Sequence, residues 1–242
     1  MSVVFRSTGA HIPERRITND ELASMVDTTD EWIRSHTGIG ARHVAADGHE
    51  TSDLAADAAR KALKKAAIEP RDIDFIVVAT ATPDYLGFPS TACIVQDKIG
   101  ANGCAAFDVT AGCTGFIYAL DVAANMLEGK KGKHALVIGA ETLTRVTDWT
   151  DRSTCVLFGD GAGAAVLSRI DEPGRGVLKS LLGAEGGSRA EVIGRSSLPG
   201  DLDIWVNLGD RECLVEGLRR RGEVSNLEAE FRKKDGSTGI GL

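Results

Sequence analysis

The sequence predicts an α/β fold built on a mixed, mainly parallel sheet. Three features point there. Strand-like and helix-like runs alternate from about residue 72 to residue 169, the order that builds a sheet covered by helices. One strand-like run, DIDFIVVATAT, is continuously apolar and rich in β-branched residues, as in a strand covered on both faces. Helix start and stop signals fall where the alternation requires them.

Taken in order, Thr18 and Glu21 have capping-box spacing and open a first helix,. TSDLAADAARKALKKAAIEP gives a second, starting near Thr51 and ending before Pro70,. Both are expected to be amphipathic and surface-facing. The apolar strand follows, then a helix in STACIVQDKIG closed by Gly100, a strand in CAAFDV, a helix from Cys113 to Glu128, and a strand in KHALVIGAE. The helix from Cys113 carries no charge before Asp121, and its apolar residues point all round the axis, so it is expected to be buried,. GDGAGAAVLSR, from Gly159, leads from glycines into a small-residue strand. It lacks the Lys-Ser/Thr of a phosphate loop and is followed by a strand, not a helix,. The pattern runs to about Gly187. From Ser188 the texture changes to one helix-like stretch, DRECLVEGLRRRG, and an alternating strand, VSNLEAEFRKKDGS, turning at Asp235-Gly236,. The organisation expected is a unit at 1–187 and a partial one at 188–242.

At 242 residues and 43% hydrophobic content the chain can bury a substantial core,. A net charge of −7 argues against a general affinity for nucleic acid,. Arg219, Arg220 and Arg221 sit among acidic neighbours and read as a solvated helix end,. Five cysteines without a Cys-x-x-Cys pair fit reduced thiols, and the first residues show neither a basic leader nor a long apolar run,. A cytoplasmic chain that enters no membrane is therefore expected. His36, His43 and His49 are spaced too irregularly to share a helical face, so no metal site is expected,.

Among the cysteines, position singles out one. A cysteine in an apolar context is usually a buried filler, and Cys93, Cys104 and Cys155 read that way. Cys113 instead stands where a strand gives way to a helix, where unpaired backbone N–H groups and the helix dipole favour thiolate. Gly112 and Gly115 flank it, leaving room for an acyl group and for a backbone N–H to face a developing oxyanion. Those are the requirements of an acyl-transfer nucleophile.

Four motifs, DTTDEWIRSHTGIGARH, FIVVATATPDYLGFPSTACIVQDKIG, AAFDVTAGCTGFIYAL and DWTDRSTCVLFGDGAGAAVL, in this order and spacing, resemble the N-terminal half of the β-ketoacyl-acyl-carrier-protein synthase III family. The resemblance implies a thiolase-like fold with a buried nucleophile helix, and an acyltransferase that starts fatty-acid elongation without a cofactor. It implies a ping-pong cycle: acyl-CoA acylates Cys113, then malonyl-acyl-carrier protein loses CO₂ and its carbanion attacks the thioester. It implies that Trp32 stacks on the CoA adenine and that Arg152 contacts the nucleotide. His36 stands where relatives often carry an arginine that pairs with CoA phosphate, so phosphate binding there is expected to be weaker and pH-dependent. Phe88 matches a residue that family homodimers place at the neighbouring subunit's acyl pocket.

The family completes its site with a histidine and an asparagine from a C-terminal half, and all five histidines here precede residue 135. Condensation is accordingly expected to be impaired. The tail, EVIGRSSL through RKKDGS, resembles the later part of a PAS sensory domain, a short α+β fragment. Two alternatives stand beside the enzyme: a non-catalytic acyl-CoA-binding or scaffold fusion, and a non-functional fragment.

Overall fold

The computed structural model describes residues 1–129, 132–183, 229–232 and 238–241. The chain divides into two compact units, Met1–Ala184 and Glu185–Leu242. The expected junction near Ser188, the DRECLVEGLRRRG stretch and the turn at Asp235-Gly236 lie outside the described residues.

In the first unit the chain runs β1 (Ser2–His11), β2 (Arg15–Thr18), α1 (Asn19–Ala23), α2 (Asp30–Thr37), β3 (Ala41–Val44) and α3 (Thr51–Ala66). It continues through β4 (Phe75–Ala79), α4 (Thr91–Ile99), β5 (Ala105–Val109), α5 (Gly115–Glu128), β6 (His134–Thr142) and β7 (Asp160–Ile170). Five strands form one sheet in the order β1-β7-β6-β4-β5, and β2 and β3 form a separate hairpin. The expected capping signals are present: Thr18 accepts from the Glu21 N–H, Ser90 from the Cys93 N–H, and Gly100 closes α4,.

The sheet is mixed, but not mainly parallel. β4 pairs parallel with both β5 and β6, whereas β7 pairs antiparallel with both β6 and β1. The reason lies in the connections. Helices α4 and α5 cross over between the parallel strands, whereas β6 reaches β7 through a stretch holding only a 3-10 turn at Leu143–Arg145, so β7 returns beside it,.

All five residues of β4 are buried, as a strand apolar on both faces requires,. One face of the sheet packs against α3 and α4 through Leu54, Ala58, Ala62, Ile76, Val78 and Val95. The other packs against α5 through Phe75, Val77, Ala119, Ala123 and Leu127.

Two burial expectations change. α3 is amphipathic but sits deep, with Thr51, Ser52 and most of its alanines buried and only Arg60, Lys61, Lys64 and Lys65 forming a solvent stripe. α5 is buried on one face only: Gly115, Ala119, Ala123, Ala124 and Leu127 face the sheet, while Ile117 is 50% exposed. Its outer face has no covering layer of secondary structure among the described residues. Tyr118 donates to the Gly183 carbonyl at 2.8 Å and Ser180 bonds Asp121, so an irregular segment touches that face. In the second unit, β8 (Ala229–Arg232) and β9 (Thr238–Gly241) pair antiparallel.

Candidate active site

Strand direction decides where the site falls. β4, β5 and β6 run parallel, and the segments leaving their C-terminal ends carry Phe88, Cys113 and Arg152 respectively. The register Thr142↔Asp160 and His11↔Ala162 brings the start of β7 and the end of β1 to the same edge. β1 there feeds the segment that carries Trp32 and His36. All five residues singled out in the sequence thus follow from one edge of the sheet, the carboxyl end of its parallel strands, where α/β sheets place their ligands.

Cys113 is exposed. It lies in a 3-10 turn, Gly112–Thr114, immediately before α5 rather than within the α-helix. Gly112 has φ +53°, a left-handed conformation that glycine adopts without penalty,. α5 then seats closely on the sheet, since a Cβ at Gly115 would lie 3.3 Å from the Ala79 Cβ. Helices α1, α2 and α4 each have a side-chain cap, from Thr18, Thr29 and Ser90. α5 has none: the Thr114 hydroxyl turns away and donates to the Ala111 carbonyl at 2.9 Å. Its first N–H groups are left without a side-chain acceptor, and the positive end of the helix dipole stands beside the sulfur.

The other cysteines do not all behave as fillers. Cys155 is buried, and burial pushes its thiol up. Cys104 is half-buried and shifted the same way by the same cause. Cys93 is exposed, contrary to expectation, because it lies on α4 beside β5, an edge strand that nothing pairs on its far side among the described residues.

Trp32, His36 and Arg152 come together. Trp32 and His36, one turn apart on α2, stack with ring centroids 4.4 Å apart and planes 25° from parallel. The Arg152 guanidinium carbon lies 4.5 Å from the Trp32 ring centroid, a cation–π contact made across the chain,. His36 Nδ1 lies 2.8 Å from the Trp32 carbonyl oxygen; a carbonyl only accepts, so Nδ1 carries the hydrogen,. Phe88 is 88% exposed, in a loop with Tyr85 and Leu86 also standing in solvent.

Several positioning residues escaped the sequence reading. Glu141, at the end of β6, accepts from the N–H groups of Ala81 and Thr82 and from the Thr82 hydroxyl. Asp108 of β5 accepts from the N–H groups of Thr91 and Ala92 at the start of α4. Asp84 takes the Ser52 N–H and hydroxyl at 2.9 and 2.5 Å. Together these carboxylates pin both ends of the loop that carries Phe88. Asp160 takes the N–H groups of Ala45 and Thr144 and the Thr144 hydroxyl, so the glycine run is a strand start built round a buried carboxylate. The available signal was an acid inside or ending an apolar strand, as in AAFDV and VIGAE. Thr28 carries a buried hydroxyl oxygen with no hydrogen-bond partner among the described residues.

Comparison with known proteins bears on what this arrangement is for. Residues 107–186, which include Cys113, match the family model of 3-oxoacyl-[acyl-carrier-protein (ACP)] synthase III. The N-terminal unit is synthase III-like in sequence and in fold. The β-ketoacyl-[acyl-carrier-protein] synthase III of Neisseria meningitidis serogroup C is 58% identical over 180 residues, 74% of this chain and 55% of that protein. The corresponding Xylella fastidiosa protein is 54% identical over 186 residues, 77% of this chain and 56% of that protein. The crystal structure of the Thermus thermophilus synthase III superposes with a TM-score of 0.74 at 43% identity, covering 78% of this chain and 58% of that one. The chain therefore spans a little over half the length of the synthases it matches, and the shared fold is the thiolase-like one expected.

Proposed function

We propose that this chain is an acyltransferase of the β-ketoacyl-acyl-carrier-protein synthase III type that takes an acyl group from acyl-CoA onto Cys113. One observation carries the reading: an exposed thiol at the uncapped start of α5, on the carboxyl edge of the parallel strands. The sulfur attacks the thioester carbonyl, the carbonyl oxygen takes the negative charge, and CoA leaves as the C–S bond to it breaks. Free N–H groups at the helix start are suited to stabilise that oxyanion.

Trp32 and Arg152 form the nucleotide end of the site. The guanidinium rests on the indole now, and a planar base would take that face. His36 supplies a single imidazole where a guanidinium would give two fixed donors, so its hold on phosphate is weaker. Phe88, on its pinned and exposed loop, reaches a second copy of the chain in a homodimer. We place the protein in the cytoplasm, in keeping with its unpaired described cysteines; no helix among the described residues is long and apolar enough to cross a membrane.

Condensation with malonyl-acyl-carrier protein is assigned to none of the residues described above: His134 lies at the opposite end of β6 from the site, hydrogen-bonded to Ser168. The half-open face of α5 favours a second reading, an acyl-CoA-binding scaffold that pairs with another protein. The tail belongs with that reading as part of a PAS-like unit, supported by the β8–β9 hairpin on either side of Asp235-Gly236. Supplying acyl-CoA and malonyl-acyl-carrier protein separately, while following Cys113 mass and ketoacyl product, separates the two: a scaffold gives neither, and an impaired synthase gives the first.

A further inference from the structure

Arg42, on β3, is 4% exposed, yet none of the ion pairs among the described residues includes it. Its guanidinium donates to neutral acceptors: Asn19 Oδ1 at 2.8 Å, the Val156 carbonyl at 3.2 Å and the Ile17 carbonyl at 3.4 Å. Its Nε–H has no partner among the described residues. A charge taken from water without a counter-ion is costly, and burial holds this guanidinium below its ordinary value.

What those bonds join accounts for the charge. Asn19, itself 1% exposed, donates from Nδ2 to Asp30 Oδ1 at 2.8 Å and to the Ile39 carbonyl at 2.7 Å. Asp30 is the first residue of α2, two positions before Trp32, and Arg34 Nε lies 2.8 Å from each of its oxygens. On the other side, Val156 is four residues beyond Arg152. One guanidinium thus ties the helix that carries Trp32 to the segment that carries Arg152, far apart in sequence. Ile33, Cys155 and Val156 already pack these segments together. Apolar packing is not directional, whereas a planar fork of donors fixes spacing and angle.

We propose that Arg42 is a positioning residue that sets where the Arg152 guanidinium stands against the Trp32 indole, and so the indole face that the base of CoA takes and the cation beside it. The inference rests on the nucleotide-end reading given above. Arg42 does not touch the ligand; it acts through the two segments it joins.

The test compares wild type with Arg42→Met, which keeps the apolar stem and removes every donor, and with Arg42→Lys, which keeps the charge and loses the fork. Two quantities are read: the Kd for CoA by calorimetry, and the rate at which Cys113 is acylated by a short acyl thioester that lacks the nucleotide. Misplacing a cation–π partner is expected to weaken CoA binding by roughly tenfold in Arg42→Met, with Arg42→Lys intermediate. Acylation by the nucleotide-free thioester stays at the wild-type rate. Unchanged CoA affinity in both variants overturns the proposal, as does an equal loss in CoA affinity and in acylation by the nucleotide-free thioester, which marks general damage. If Arg42→Met does not fold by circular dichroism, Arg42→Lys carries the comparison alone, with the same two outcomes. Wild type that binds no CoA defeats the nucleotide-end reading itself, a result distinct from failure of the Arg42 role.

Discussion

The described cysteines separate by exposure, and their reactivity follows. Burial raises the Cys104 and Cys155 thiols above the ordinary thiol range, so both stay protonated at neutral pH. The stability this contributes is complete below the unfolded thiol value and is lost as pH rises through the raised one. Brief iodoacetamide treatment at neutral pH should therefore modify Cys113 first and Cys93 more slowly, since only Cys113 adjoins an uncapped helix start,. Peptide mass mapping checks this, and earlier labelling of Cys104 or Cys155 contradicts it. At the proposed nucleotide end, His36→Arg should tighten CoA binding by about fivefold, the worth of one solvent-exposed ion pair of ~1 kcal/mol, measured as a Kd. Cys113 could be singled out from sequence as a candidate by its position and flanking glycines, and Trp32, His36 and Arg152 by the motifs that carry the resemblance. Arg42 and Thr28 could not, because what distinguishes them is burial among acceptors, or without one, brought from distant segments.

Elements with strong local signals were legible, and those defined by pairing were not. α3, α4 and β4 carry caps or an unbroken apolar run, and they begin and end close to where those signals lie. β1 passed unread because it is an edge strand with Phe5 and Arg6 exposed, which breaks the alternation a strand would show,. The β2–β3 hairpin is likewise set by register rather than composition. Two substitutions test how these elements hold the site. A Cβ at Gly9 of β1 would fall 2.4 Å from the Ala58 carbonyl oxygen and 2.5 Å from the Ala62 nitrogen, both backbone atoms of α3. Gly9→Ala should force the strand and helix apart and cost about 2–3 kcal/mol in denaturant unfolding. Asp84→Ala leaves the Ser52 N–H and hydroxyl without their acceptor and should cost about 1–3 kcal/mol. It should also free the loop bearing Tyr85, Leu86 and Phe88, read as faster proteolysis within residues 83–89. Unchanged proteolysis would remove Asp84 from the account of that loop.

For the whole molecule, the alternation of strands and helices carried the fold class correctly and overstated the parallel content. Strand direction depends on the connections, and the β6–β7 connection has no crossover helix to betray its sense. The apolar sequence of α5 foretold burial on all sides, yet a helix is buried only by what is present to cover it, and the described residues cover one face. Ile117 at 50%, Leu86 at 96% and Phe88 at 88% exposure leave apolar surface that favours association,. Light scattering at micromolar concentration should therefore show a dimer or larger species; a stable monomer contradicts this. The measurement that bears most directly on the proposed chemistry is the mass of the Cys113 peptide after incubation with acetyl-CoA. An acetyl adduct on Cys113, with release of free CoA and no adduct in Cys113→Ser, is the predicted result. A Cys113 peptide that stays unmodified while the folded protein binds CoA would show that the thiol at the start of α5 is not a nucleophile in this chain.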